Sequence, residues 1–303
     1  MSSDLSQQDQ SQAEAPFVAA SVEEALAFLA AHRGQAQVLG AGTTLLADGP
    51  PTRSGALPLV DVSRIAELRR VLSQPPYVVL GGAVALAQLE QASVSVEDLL
   101  ILADVARYGR THAPSATLAG DVMRARGNSA IATALIALSA DAQIANLTGS
   151  QWVPVRSLLL RAGACRVNSQ AEVLVSFRIR SLMPLMGAAL AEVAQQEDAS
   201  GPPDVAAATV SIDQARNLIS SLTVVLGIAG TAPMVYRLSD LDDSRSPAVE
   251  TVRRAVNQWA ASQAPGPATE ENVLRAQRIA NGAQEAFDKA VQRARLDLAN
   301  STP

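Results

Sequence analysis

The amino-acid sequence predicts an α+β fold in which strands and helices alternate before an antiparallel sheet with helices completes the chain. Three observations support this class. Apolar residues repeat at helical spacing after Ser21, which suits a helix N-cap. Residues 77–80 and 173–179 are short β-branched runs typical of strands. After two further strand-like runs, at residues 205–212 and 218–226, the chain from 246 to 298 shows only amphipathic helical patterns.

Composition limits the classes of function. The chain has 303 residues, enough for two or three domains, and 48% are hydrophobic. A net charge of −5 argues against nucleic acid as a partner, and no apolar stretch is long enough to span a membrane. One cysteine, Cys165, excludes an internal disulfide, and His32 and His112 are too few for a usual zinc site. With no visible signal peptide, we expect a cytoplasmic protein that has no metal site of its own.

The first half of the chain contains most of the predicted alternation. Residues 1–15 are rich in Ser, Gln and Asp, which predicts a disordered tail. A short strand at 17–19 is followed by a helix to about His32, and Gly34 closes that helix. Further strands are predicted at 37–39, 57–62 and 77–80, and helices at 87–91 and 96–108.

The second half begins with an apolar helix at 130–140 and a hairpin that turns at residues 148–150. A strong strand follows at 173–179. Residues 183–194 fit either a helix or an irregular strand, and 201–203 form a linker. The two strands at 205–212 and 218–226 are joined through 214–217, and Pro265 separates the helices that follow.

One small-residue turn, Gly40-Ala41-Gly42-Thr43-Thr44, follows a predicted strand and is a candidate phosphate site. Glycine allows a ligand to approach the backbone, whose N–H groups suit a phosphate, and the two threonines add hydroxyl donors. The alternative is a plain turn that binds nothing, because short glycine motifs are weak signals.

This turn imitates a dinucleotide-binding Rossmann unit, since Asp61 follows at about the spacing of a ribose-binding carboxylate. Leu45, however, stands where the third glycine belongs. Pro50 leaves about five residues for a crossover that needs about a dozen. We therefore reject a NAD-type site.

Several motifs have the order and spacing of a known family. Residues 40–46 are a variant of an Ala-Gly-Gly-Thr-Asp-Leu-Leu loop, and 59–68 are close to Leu-Val-Asp-Leu-Ser-Arg-Ile-Pro-Glu-Leu. Thr117-Leu118-Ala119-Gly120-Asp121 resembles Thr-Ile-Gly-Gly-Asn, and 172–179 and 205–237 are similar to later strands. Together they resemble the FAD-binding (medium) subunit of molybdenum hydroxylases, the group of carbon monoxide dehydrogenase and the xanthine dehydrogenase flavin domain.

The resemblance implies an FAD-binding domain at residues 16–180, made of two small α/β subdomains split near residue 70, and a C-terminal domain at 181–303. It places the FAD pyrophosphate on the two glycine loops. The cofactor-binding residues it implies are Leu39, Gly40, Ala41, Gly42, Thr43, Thr44, Thr117, Leu118, Ala119, Gly120, Asp121 and Leu174. It assigns no catalytic residue and no metal ligand to this chain.

The function implied by the resemblance is electron transfer. A large subunit with the molybdenum cofactor and a small 2Fe–2S subunit would be the partners, in a dimer of heterotrimers. The flavin would receive electrons from the 2Fe–2S subunit and pass them to an external acceptor.

The second loop departs from the family pattern, which keeps two other functions open. Ala119 replaces a glycine, Asp121 an asparagine and Ala130 an aspartate. A carboxylate beside a pyrophosphate would repel it, whereas Arg124 and Arg126 could compensate, bind a phosphate or lie in solvent. The chain could therefore be a scaffold subunit of the same complex with lost or weakened FAD binding. It could also be a separate phosphate- or nucleotide-binding module.

Overall fold

The computed structural model describes residues 15–40, 57–89, 100–112, 116–195, 201–213, 215–240, 247–264, 266–267 and 269–299. These residues form three sheets with helices packed on them, and a two-stranded ribbon of β8 (Leu159–Arg161) and β9 (Ala164–Cys165). The α+β class predicted from the sequence is confirmed. The tail at residues 1–14 lies outside the described residues.

The first unit is a small parallel sheet covered by one helix. Strands β1 (Phe17–Val18), β2 (Gln37–Leu39) and β3 (Leu59–Asp61) lie in the order β1-β3-β2. Helix α1 (Val22–Ala31) begins at the predicted cap, where Ser21 Oγ accepts from Glu24 N at 3.1 Å. Because β2 and β3 pair in parallel, the chain crosses over between them. The expectation that too little chain remains there for a crossover is wrong.

The second unit is a five-stranded antiparallel sheet in the order β4-β5-β10-β6-β7. Its strands are β4 (Val71–Gln74), β5 (Tyr77–Gly81), β6 (Asp141–Asn146), β7 (Gly149–Pro154) and β10 (Val173–Arg180). Three helices, α2 (Leu100–His112), α3 (Leu118–Met123) and α4 (Ala130–Ala137), share an apolar core with its buried face. The predicted hairpin is β6–β7. Helix α4 ends before residue 140 because Ser139 adopts a positive φ and β6 begins at Asp141.

The third unit is a four-stranded antiparallel meander with two long helices. Strands β11 (Met186–Glu192), β12 (Val205–Asp213), β13 (Leu218–Gly227) and β14 (Met234–Arg237) pair in sequence order. Helices α5 (Val249–Ser262) and α6 (Glu270–Ala299) cover one face. Residues 183–194, for which the sequence allowed either a helix or an irregular strand, contain strand β11. Among the described helices, α6 included, none combines the length and apolar character needed to cross a bilayer.

The meander is buried on both faces, so the second and third units share a core. Alternate residues of its strands, including Leu190, Ala207 and Val225, belong to the core that contains α2 and α4. Their neighbours, including Ala208 and Val224, pack instead with α5 and α6. The boundary predicted at residue 181 therefore lies between β10 and β11 but does not separate two independent cores.

A buried ion pair joins the same two units. Asp104 on α2 is 3% exposed. Its carboxylate accepts from Arg293 on α6 at 2.6 and 3.0 Å, from Arg107 at 2.6 Å and from Leu190 N at 3.0 Å. Arg293 also donates to the Ala188 carbonyl at 2.8 Å. This network ties α2, β11 and α6 together.

Candidate functional site

The two glycine loops meet at Gly40 and Thr117. A Cβ placed on Gly40 would lie 3.5 Å from Thr117 Oγ1, and no other described atom would come within 4 Å of it. Leu39 and Gly40 are half-buried at the end of β2. The rest of the first loop, Ala41, Gly42, Thr43 and Thr44, lies outside the described residues. We call the place where Gly40 borders Thr117 the loop seam.

The second loop forms the beginning of helix α3. Thr117 is its N-cap, and Thr117 Oγ1 accepts from Gly120 N at 3.2 Å. Leu118 N donates to Val84 O at 2.9 Å, Ala119 N to Gly82 O at 2.8 Å, and Asp121 N to Thr117 O at 2.9 Å. All four N–H groups of residues 118–121 therefore donate inside the protein. The sequence pattern did not show that these donors are already used.

Gly82 holds the second loop against the five-stranded sheet. Its N–H donates to Val175 O at 2.7 Å. A Cβ on Gly82 would lie 2.5 Å from Leu174 O and 3.0 Å from Ala119 Cβ, closer than real contacts allow. Leu174 is 3% exposed and its side chain belongs to the same apolar core as Leu118 of the second loop. Sequence reasoning did not assign Gly82 to the site, although the small-residue run after β5 was a signal.

Asp121 is turned toward the start of helix α4. The residue is 4% exposed, its Oδ2 accepts from Ser129 Oγ at 2.6 Å, and its Oδ1 accepts from Arg126 at 3.3 Å. Ser129 is also the N-cap of α4, since its Oγ accepts from Ala132 N at 3.1 Å. The sequence left open whether Arg126 compensates the charge of Asp121, binds a phosphate or lies in solvent. In the structure its guanidinium contacts the Asp121 carboxylate.

The segment that contains Arg126 and Ser129 packs against the third unit. A Cβ on Gly127 would overlap the carbonyl oxygens of Ile228 and Thr231, which only glycine avoids. Asn128 Nδ2 donates to Pro202 O at 2.8 Å. Residues 126–129 therefore connect the second loop to the segments just before β12 and just after β13, which lie at the same end of this strand pair.

The environment of Cys165 does not favour a reactive thiol. Burial raises the pKa of the Cys165 thiol, which disfavours the thiolate. Among the described residues, no group of three or more His, Cys, Asp or Glu side chains is placed to hold a metal ion. The loop seam is the place where the described residues that the sequence suggested for cofactor binding come together.

The residues at the loop seam fit a cofactor that carries phosphate. Gly40 leaves room for close approach to the backbone. The Thr117 hydroxyl accepts from Gly120 N–H, and a hydroxyl also carries one proton that it can donate. Gly40, Ala119 and Gly120 are half-buried, whereas Thr117 is 5% exposed, so the backbone of the two glycines is the more accessible part of the seam.

A family model described as the FAD binding domain in molybdopterin dehydrogenase matches residues 12–180, more than half of the chain. The chain belongs to this family and is an FAD-binding oxidoreductase subunit. FAD is the cofactor of this family. Comparison with curated protein sequences gives no match.

Solved structures share the fold over nearly the whole chain. Carbon monoxide dehydrogenase from Hydrogenophaga pseudoflava matches with a TM-score of 0.73 and 21% identity, covering 93% of this chain and 96% of the other. Quinoline 2-oxidoreductase from Pseudomonas putida 86 matches with a TM-score of 0.74 and 19% identity, and the match covers 93% of this chain and 98% of the other. Reconstituted CO dehydrogenase from Oligotropha carboxidovorans matches with a TM-score of 0.74 and 17% identity, and the match covers 94% of this chain and 99% of the other. At these identities the likeness shows the fold.

Proposed function

We propose that the chain is the electron-transfer subunit of a molybdenum hydroxylase complex. Its FAD receives electrons from a 2Fe–2S subunit and passes them to an external acceptor. The observation that carries the proposal is the family match over residues 12–180, which contain both glycine loops. The meeting of Gly40 and Thr117 at the loop seam supports it.

The chain contributes position, and the cofactor contributes reactivity. When bound, FAD supplies the redox chemistry of the complex. Gly40 allows the cofactor's phosphates close to the backbone, and Thr117 offers a hydroxyl donor beside it. Gly82 fixes the second loop on β10. No side chain of the described residues is needed to move a proton in this role.

The partners we propose are a large subunit with the molybdenum cofactor and a small 2Fe–2S subunit, assembled as a dimer of heterotrimers in the cytoplasm. The similar structures include a Cu,Mo-containing CO dehydrogenase, of whose matched chain 97% is covered.

Purification of the tagged chain from its native host tests the proposal. We expect a yellow complex with a flavin absorption spectrum and two further subunits that carry molybdenum and iron–sulfur. After the flavin has been reduced and its visible band bleached, the band of oxidised flavin should return when an electron acceptor is added, and NAD, quinones and oxygen are the candidates to assay. Recovery of a lone, colourless chain would contradict the proposal.

A scaffold subunit with weakened FAD binding is the second candidate. It is favoured by the internal use of the N–H groups of residues 118–121 and by the carboxylate of Asp121 in the second loop. The same purification separates the two, because a scaffold brings down both partners while FAD stays far below one per chain. A chain that binds nucleotides without partners would instead be a separate phosphate-binding module.

A further inference from the structure

Asp121 places a carboxylate one helical turn after Thr117, close to a seam that receives the phosphates of FAD. A bare negative charge there would weaken binding, since like charges at close range repel. Yet the side chain is 4% exposed and both its oxygens accept hydrogen bonds from residues 126 and 129. The carboxylate is therefore held inside the protein.

Three groups compensate the buried charge. The Ser129 hydroxyl donates at 2.6 Å, and the Arg126 guanidinium at 3.3 Å. The third is the first turn of helix α4, because Ser129 is its cap and the positive end of a helix dipole favours an anion. A buried carboxylate with charged and hydroxyl donors around it is a stable structural group.

The contacts of Asp121 extend to the third unit. Helix α4 lies in the core that it shares with the meander. On this helix, Thr133 Oγ1 donates to Ser129 O at 2.7 Å, and it lies where a Cβ on Gly227 of β13 would clash. Gly127 packs against the Ile228 carbonyl next to it. Asp121 thus links helix α3 to an element that is fixed by packing on both sides.

We propose that Asp121 is a positioning residue for FAD. Its carboxylate holds the second loop against the start of α4 and thereby strengthens FAD binding, in contrast to a phosphate-facing carboxylate that would weaken it. This inference rests on the proposed function, because it requires that the chain binds FAD at the loop seam.

Asp121→Asn separates the two roles because it removes the charge and keeps the shape. A phosphate-facing Asp121 predicts tighter FAD binding in the variant. A positioning Asp121 predicts weaker binding, since the neutral amide loses the charge-assisted bonds to both partners and turns an N–H group either toward the Arg126 guanidinium or toward the Ser129 hydroxyl. We expect a dissociation constant raised about tenfold, which corresponds to about 1.4 kcal/mol.

The experiment uses the full chain, purified with its partners, deflavinated and titrated with FAD while flavin fluorescence is followed. Ser129→Ala keeps the charge of Asp121 and removes one donor, so it should also weaken binding. The double variant should bind no more weakly than the weaker single variant, because both break the same link. Asp141→Asn, which disturbs an ion pair with Arg178 on the five-stranded sheet, is the matched control and should bind as wild type.

Circular dichroism and the visible band of bound FAD complete the test. Both variants should stay folded, with an altered flavin spectrum that the Asp141 control does not share. Asp121→Asn with unchanged or tighter FAD binding overturns the inference. If that variant does not fold, Ser129→Ala at wild-type affinity overturns it instead. A wild-type chain that binds no FAD refutes the proposed function as well, which distinguishes the two failures.

Discussion

Replacement of Arg293 by alanine tests whether the buried ion pair joins the second and third units. Arg293 reaches across from α6 to Asp104 on α2, and the side chains are 21% and 2% exposed. Without Arg293, the Asp104 carboxylate keeps only Leu190 N–H and Arg107, whose side chain is 61% exposed. The Ala188 carbonyl also loses a donor.

The magnitude follows from that geometry. Removal of one partner of a buried ion pair destabilises by about 3–5 kcal/mol, because the other charge stays buried. Arg107 already contacts the carboxylate and is mostly solvated, and an exposed pair contributes about 0–1 kcal/mol. We therefore expect Arg293→Ala to lower the free energy of unfolding by about 2–4 kcal/mol.

Urea unfolding at one fixed FAD concentration is the assay, since bound cofactor raises the apparent stability. Arg295→Ala is the control, because Arg295 is exposed on the same helix and should change stability by no more than about 0.5 kcal/mol. Asp104→Asn added to Arg293→Ala should recover part of the loss by removing the buried charge. A loss below about 1 kcal/mol in Arg293→Ala, or a double variant less stable than the single one, would refute the reasoning.

Three further predictions concern other parts of the chain. Gly42→Asp should lower FAD affinity about a thousandfold, because like charges about 4 Å apart cost on the order of 4 kcal/mol at a partly screened site. Gly49→Asp should do far less, and full flavin content in Gly42→Asp would show that the first loop does not hold the pyrophosphate. Deletion of residues 1–15 should change stability by no more than about 0.5 kcal/mol, and a large drop in melting temperature would contradict this. Burial raises the pKa of the Tyr108 phenol above its usual 10.0. The folded state thus binds more protons above that pH, so its stability falls as the pH rises, and Tyr108→Phe should lack this part of the alkaline loss in urea unfolding.

Elements with a local signal were predictable from the sequence. The Ser21 cap, the hairpin β6–β7 and the strands β12 and β13 are set by short-range chemistry, although the hairpin turns at residues 147–148 and not at 148–150 as predicted. Strand β4 was missed because Val71–Gln74 is mostly exposed and lacks apolar alternation. Residues 183–194 stayed open because a strand rich in alanine fits either period.

The site was predictable only in part. The resemblance indicated both loops, and the described residues bring Gly40 next to Thr117. The internal bonds of the second loop were not predictable, since their acceptors at Gly82 and Val84 lie on a remote segment. The contact of Asp121 with Ser129 depends on how α3 turns into α4, which no motif encodes.

Burial of the meander on both faces has a consequence for how such chains can be cut. A fragment that ends at residue 180 would expose the apolar sides of α2 and α4 that normally meet Leu190, Ala207 and Val225. A contiguous apolar surface of that kind promotes aggregation. Chimaeras between relatives should therefore exchange residues up to the end of β14 or beyond, so that the FAD-binding region keeps the whole sheet that covers its core.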